Sequence, residues 1–126
     1  RLFRSCGKSA RVIKEEWLKL HYPPYWHYDV LQGALVLSRA GKMKDSRMDD
    51  AVDLIQSRRR QDGKWQAGAY YWRRPDTSAR DGAKSKDPWA EPPSTDVVDW
   101  GRGGPNEMLT LNSLRVLKAA GRFEVS

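Results

Sequence analysis

The chain has 126 residues, of which 39% are hydrophobic, and 23 Lys and Arg set against 16 Asp and Glu leave a net charge of +7. That length holds one domain or part of one. No apolar run approaches the roughly 18 residues that a membrane-spanning helix needs. Cys6 is the single cysteine, which excludes an intrachain disulfide and a cysteine-built zinc site and fits a reducing, cytoplasmic setting.

A basic surplus attracts nucleic acid when it gathers into a patch. Here the cations are spread among the acids, and Arg58-Arg59-Arg60 is the one dense run, so nucleic acid is not favoured as a partner. The opening Arg1-Leu2-Phe3-Arg4-Ser5 has no signal-peptide apolar stretch and no initiating Met. It reads as the end of a helix that starts upstream, with Leu2 and Phe3 as its last core contacts and Gly7 as its stop. Trp17, Leu18 and Leu20 then suggest one helical turn near residues 14–19.

Pro23-Pro24 stops any earlier helix, and proline is tolerated in a first turn. Val30, Leu31, Ala34, Leu35 and Leu37 follow with helical spacing. The expected helix therefore runs from about 24 to 40, with Asp29 near its first turns and Gly41 as its stop. Ser46 and Asp49 have the spacing of a capping box. Met48, Ala51, Val52 and Ile55 form an i, i+3, i+4, i+7 stripe, which gives a second helix over 46–60, with Arg58 to Arg60 in its last turn. The short link between the two predicts neighbouring, antiparallel helices.

Residues 64–104 hold Trp65, Tyr70, Tyr71, Trp72, Trp89 and Trp100, and also Pro75, Pro88, Pro92 and Pro93, which oppose helix. A mobile loop is expected over about 75–93. Leu109, Leu111, Leu114, Val116, Leu117 and Ala120 give a third helix over 105–121, stopped at Gly121. The fold class is all-α.

Three groups of residues are candidates for chemistry. His21, His27 and Asp29 lie close in sequence, but His27 and Asp29 do not share a helical face. A three-ligand metal site would need His21 to converge across the double proline, so no metal is assigned. His27 remains a candidate acid or base, and its plainer role is to satisfy backbone groups at a helix start. Asp99 and Arg102 are candidate catalytic residues in the loop Asp96-Val97-Val98-Asp99-Trp100-Gly101-Arg102, where Val97, Val98 and Trp100 are expected to be buried; the plainer role is a loop held by ion pairs. Tyr25, Trp26, Trp65, Trp72 and Trp100 are candidates for lining a ligand pocket, since aromatic faces bind apolar groups and cations. Aromatics also fill cores and pin loops. No cofactor motif is present.

Residues 31–42 match residues 111–122 at a constant offset of 80: Leu, Val-Leu, Ala-Gly and a closing base coincide. Internal repeats of this kind mark stacked helical units. After the first copy an amphipathic helix follows, and after the second the sequence stops. The expectation is an incomplete repeat that pairs with the remainder of a larger chain or with another copy.

A helical hairpin closed by Asp62-Gly63-Lys64-Trp65 and partly repeated resembles the α/α-toroid superfamily of terpenoid cyclases and protein prenyltransferase β-subunits. The resemblance covers residues 22–65 and, in part, 96–121. The family's Gln-x-x-x-Gly-x-Trp motif is matched at Gly63 and Trp65, with Arg59 where the Gln stands. It implies a toroid of helical hairpins and an isoprenoid-like small-molecule ligand. The family's Asp-x-Asp-Asp signature is not matched by Asp45-Ser46-Arg47-Met48-Asp49-Asp50, nor is its Asp, Cys and His zinc set, so no chemistry is assigned. The alternative is a non-catalytic scaffold that binds a protein.

Overall fold

The computed structural model describes residues 3–4, 11–24, 28–70, 98–101 and 103–123. Within them the fold is mostly helical. Three α-helices carry it: α1 (Val30–Arg39), α2 (Asp49–Ser57) and α3 (Glu107–Ala119). A 3-10 turn over Glu15–Leu18 precedes them and another over Ser46–Met48 leads into α2. Two short strands, β1 (His21–Tyr22) and β2 (Ala69–Tyr70), pair in parallel, with His21 opposite Ala69. The expected loop over 75–93 lies outside the described residues.

α1 starts at Val30, not near Pro24. Asp29 is extended (φ −138°, ψ 179°), and its carboxylate accepts the Gln32 N–H at 2.9 Å. A side chain that satisfies an orphan N–H in this way fixes the first residue of the helix. Val30, Leu31, Ala34 and Leu35 form its buried face. At the far end Gly41 takes φ +69°, where its N–H reaches Ser38 O and the Lys42 N–H reaches Leu37 O at 3.0 Å. This pair of bonds closes the helix C-terminus and needs a left-handed residue.

α2 is shorter than the expected 46–60. The Ser46–Asp49 capping box does not form: the carboxylate of Asp45 accepts the Arg47 N–H at 2.9 Å and tightens the start into a 3-10 turn. Met48, Ala51, Val52 and Ile55 are buried, as the stripe requires. Arg58 is the C-cap of α2, and Arg59 and Arg60 lie beyond it with partners in the turn that follows. Arg60 reaches Asp62 at 3.2 Å and Gln66 at 2.6 Å, while Arg59 Nε donates to Gly63 O at 3.3 Å.

α3 is capped by Asn106, whose side-chain oxygen accepts the Leu109 N–H at 3.0 Å. It ends as α1 does: Gly121 takes φ +72°, and the Arg122 N–H donates to Leu117 O at 2.9 Å. The stop signals thus coincide at the offset of 80. The buried faces do not. Leu31 is fully buried while Leu111 is 50% exposed, and Val36 is 62% exposed while Val116 is fully buried. At about 100° per residue, the two buried faces lie roughly 140° apart on the aligned helices. The matched residues fix a helix and its stop; neighbours decide which face is covered.

The helices pack against one another around Trp65, which is fully buried. Its indole N–H donates to Ile55 O in α2 at 2.7 Å, and its backbone N–H donates to Thr110 Oγ1 in α3 at 3.0 Å. Its carbonyl accepts the Asn106 N–H at 2.8 Å. Arg59 lies 5.6 Å over the indole and 5.9 Å over the ring of Phe123. Arg122, at the end of α3, pairs with Asp49 and Asp53 on α2.

Phe3 is a core contact, but in extended chain, not at a helix end: Arg4 bridges Val12 in antiparallel fashion and the Ile13 N–H donates to Phe3 O. Arg4 also reaches Asp50 at 2.9 Å. Before α3, Gly101 takes φ +114°, and a Cβ there would fall onto the Pro105 carbonyl oxygen. Ser113 is fully buried in α3, and its hydroxyl has no hydrogen-bond partner among the described residues.

Two variants test this core. Trp65→Ala is expected to cost about 3–5 kcal/mol, read from urea denaturation; a loss below about 1 kcal/mol would place the indole outside the core. Ser113→Ala removes a buried hydroxyl that gains nothing, and is expected to stabilise by about 1 kcal/mol. A fall in denaturation midpoint would reveal a partner for that hydroxyl.

Candidate functional site

The site is built on one carboxylate. Asp29 has a fully buried side chain, and a buried charge is tolerated only where hydrogen bonds replace its water. Oδ1 takes the Gln32 N–H at the start of α1. Oδ2 takes the His21 backbone N–H at 2.7 Å and lies 3.3 Å from His21 Nδ1. β1 is thereby fastened to the helix start. His21 is 2% exposed, and its other ring nitrogen lies 3.8 Å from Glu16 Oε2. Glu16 also accepts from Lys19 at 2.8 Å. That hydrogen bond from Lys19 holds the Glu16 carboxyl below its ordinary pKa.

Beside this pair lies a recess of about 160 Å³, open on one side and lined by Phe3, Trp17, Tyr28, Asp29, Val30 and Gly33. Phe3, Trp17 and Tyr28 contribute aromatic surface, and among the described residues no Lys or Arg lines the recess. Such a recess can hold a small apolar or aromatic-seeking group.

Of the residues singled out from sequence, Asp29 lines the recess, while Trp65, Asp99 and Trp100 do not. Tyr25, Trp26, His27, Trp72 and Arg102 lie outside the described residues. Trp65 packs in the core with its indole N–H and backbone engaged, so its ring is spent on structure, not on a ligand. Asp99 is exposed, and its Oδ1 accepts the Gly101 N–H at 3.0 Å. Val98 and Trp100, expected to be buried, are 61% and 36% exposed. Their backbones hold the loop instead: Val98 O accepts from the Tyr22 hydroxyl at 2.5 Å, and Trp100 O accepts the Glu107 N–H at 3.1 Å.

Sequence reasoning missed the pairing of Asp29 with His21 and the roles of Phe3 and Trp17. One signal was present. Asp29-Val30-Leu31-Gln32 has the form of an N-cap followed by Gln at the third helical position, which marks Asp29 as the cap and Val30 as the start. No pattern local in sequence brings Phe3 and Trp17 to the same place.

Among the described residues no three His, Cys, Asp or Glu side chains come together to hold a metal, and no helix is long and apolar enough to cross a membrane. Comparison with known proteins finds no matching family model, no matching curated protein and no matching solved structure.

Asp29→Ala removes the cap and strands the His21 donors, with an expected loss of about 1–3 kcal/mol. Asp29→Asn keeps an acceptor for the Gln32 N–H and is expected to lose less. Equal losses in the two variants, measured by chemical denaturation, would show that the cap contributes nothing.

Proposed function

We propose that the chain is a unit of an α/α-toroid-type helical protein that binds a small molecule in the recess at the start of α1. The observation that carries the binding reading is the recess itself, walled by Phe3, Trp17 and Tyr28 and founded on the Asp29 cap. A site fixed to a capped helix start is preorganised, which lowers the ordering cost of binding. The toroid part of the reading is supported by the Arg59–Gly63–Trp65 cluster. Arg59 stands where the family has Gln, yet it still reaches the Gly63 carbonyl and covers the Trp65 ring. The helix-end tie that the resemblance implies is thus made with a different side chain.

The lining argues against a diphosphate-bearing isoprenoid, because among the described residues no Lys or Arg lines the recess to receive the anion. It suits an uncharged or cationic group with a compact apolar surface. No reaction is assigned, and the lone cysteine keeps the expected setting cytoplasmic.

A second reading is a non-catalytic scaffold that binds a protein partner or another part of its own chain. It is favoured by the exposed aliphatic residues Val36 on α1 and Leu111 on α3. It predicts a concentration-dependent oligomer in size-exclusion chromatography.

The recess reading is tested by titrating dimethylbutanol, a compact branched alcohol, into isotopically labelled protein. Shifts of the Trp17 indole and Gly33 amide resonances are expected, and Trp17→Ala should weaken the response several-fold. Resonances unmoved by the alcohol, together with an oligomer, would replace this reading by the scaffold.

A further inference from the structure

We propose that the recess takes the methylated ammonium group of a small organic cation. The proposal rests on the recess being a binding site, and it adds the chemistry of what binds. Three observations carry it.

The first is the wall. Phe3, Trp17 and Tyr28 line a space of about 160 Å³, with Tyr28 at its exposed side. Aromatic faces attract cations through the negative face of the ring, and cavities of roughly 150 Å³ accept a benzene-sized guest. One ring already does this in the fold: the Arg4 guanidinium lies 5.1 Å from the Phe3 centroid, with its charge answered by Asp50 at 2.9 Å.

The second is charge. Among the described residues the recess is lined by one carboxylate residue and by no Lys or Arg. Behind it, Asp29 and Glu16 flank the single imidazole of His21 at 3.3 and 3.8 Å. Two carboxylates thus stand against one imidazole ring behind the wall, and a buried charge is screened less than an exposed one. Lys19 pairs with Glu16 on its exposed side, so the field left for the recess comes chiefly from Asp29.

The third is the seal on that carboxylate. The Asp29 side chain is 0% exposed, and its oxygens hold the Gln32 and His21 N–H groups. It can lend its field to a ligand but cannot accept a hydrogen bond from one. A primary ammonium brings three N–H donors, and in an aromatic recess they lose water without replacement. A trimethylammonium group has no donors to strand. An anion, by contrast, meets no Lys or Arg among the described lining residues.

The test compares choline with dimethylbutanol, its uncharged carbon isostere, by calorimetric or NMR titration of the intact chain. Choline is expected to bind roughly tenfold more tightly than the isostere, and ethanolamine more weakly than choline. Trp17→Ala should lower choline affinity by roughly tenfold, and Asp29→Asn should narrow the choline-to-isostere ratio. Equal affinity for choline and the isostere would overturn the charge reading while the binding site stands. Binding of neither would overturn both. Retention on phosphatidylcholine vesicles without binding of free choline would overturn the assignment to a small dissolved cation.

Discussion

The fold depends on how Trp65 is held. Its ring fills the space between the end of α2 and the start of α3. An indole buried this deeply contributes a large apolar area, but its N–H would be costly without a partner. The Ile55 carbonyl lies in the last turn of α2, where it takes only a shared, long bond from the Arg58 N–H at 3.3 Å and has room for the indole. The backbone of Trp65 is then free to meet Thr110 and Asn106 at the first turn of α3. One residue thus supplies the orphan groups of two helix ends and sets their distance. The Arg59 guanidinium over the ring and on the Gly63 carbonyl closes the turn from outside.

The second fixed point is Asp29, and it differs in kind. Trp65 joins elements through packing with hydrogen bonds added. Asp29 joins them through a single buried charge with its lone pairs filled by three donors. Packing is tolerant of small shifts, whereas a buried carboxylate is not, because losing one donor leaves charge unsolvated. The start of α1 and the segment through β1 are therefore held in one relative position. That rigidity is what gives the neighbouring aromatic recess a defined shape.

Much of the helical layout was legible in the sequence, and the residues that misled did so for identifiable reasons. Apolar spacing located α1, α2 and α3, because each helix has its own buried stripe, and glycine stops located the ends of α1 and α3, where the terminator is left-handed. Boundaries moved where a side chain chose its own partner: Asp29 delayed α1, and Asp45 tightened the entry to α2. The offset of 80 was legible as a shared stop, but burial follows neighbours, and Leu31 and Leu111 have different ones. Tryptophans invite a pocket reading from sequence alone. Trp65 went to the core and Trp100 to the surface, and only Trp65 follows an Asp-Gly-x turn. Phe3 and Trp17 reach the recess through contacts between segments far apart in sequence, which periodicity does not encode.

The glycines that end α1 and α3 and the glycine before α3 impose different limits on how the chain can vary. At positions 41 and 121 the backbone is left-handed with open space around it, so asparagine, which tolerates that conformation, is an admissible replacement there. At position 101 the obstacle is the carbonyl of Pro105, and no rotamer choice moves a Cβ away from it. Descendants of this chain can drift at the two helix ends, but any that keep the Asn106 entry to α3 inherit a hydrogen in place of a side chain five residues earlier.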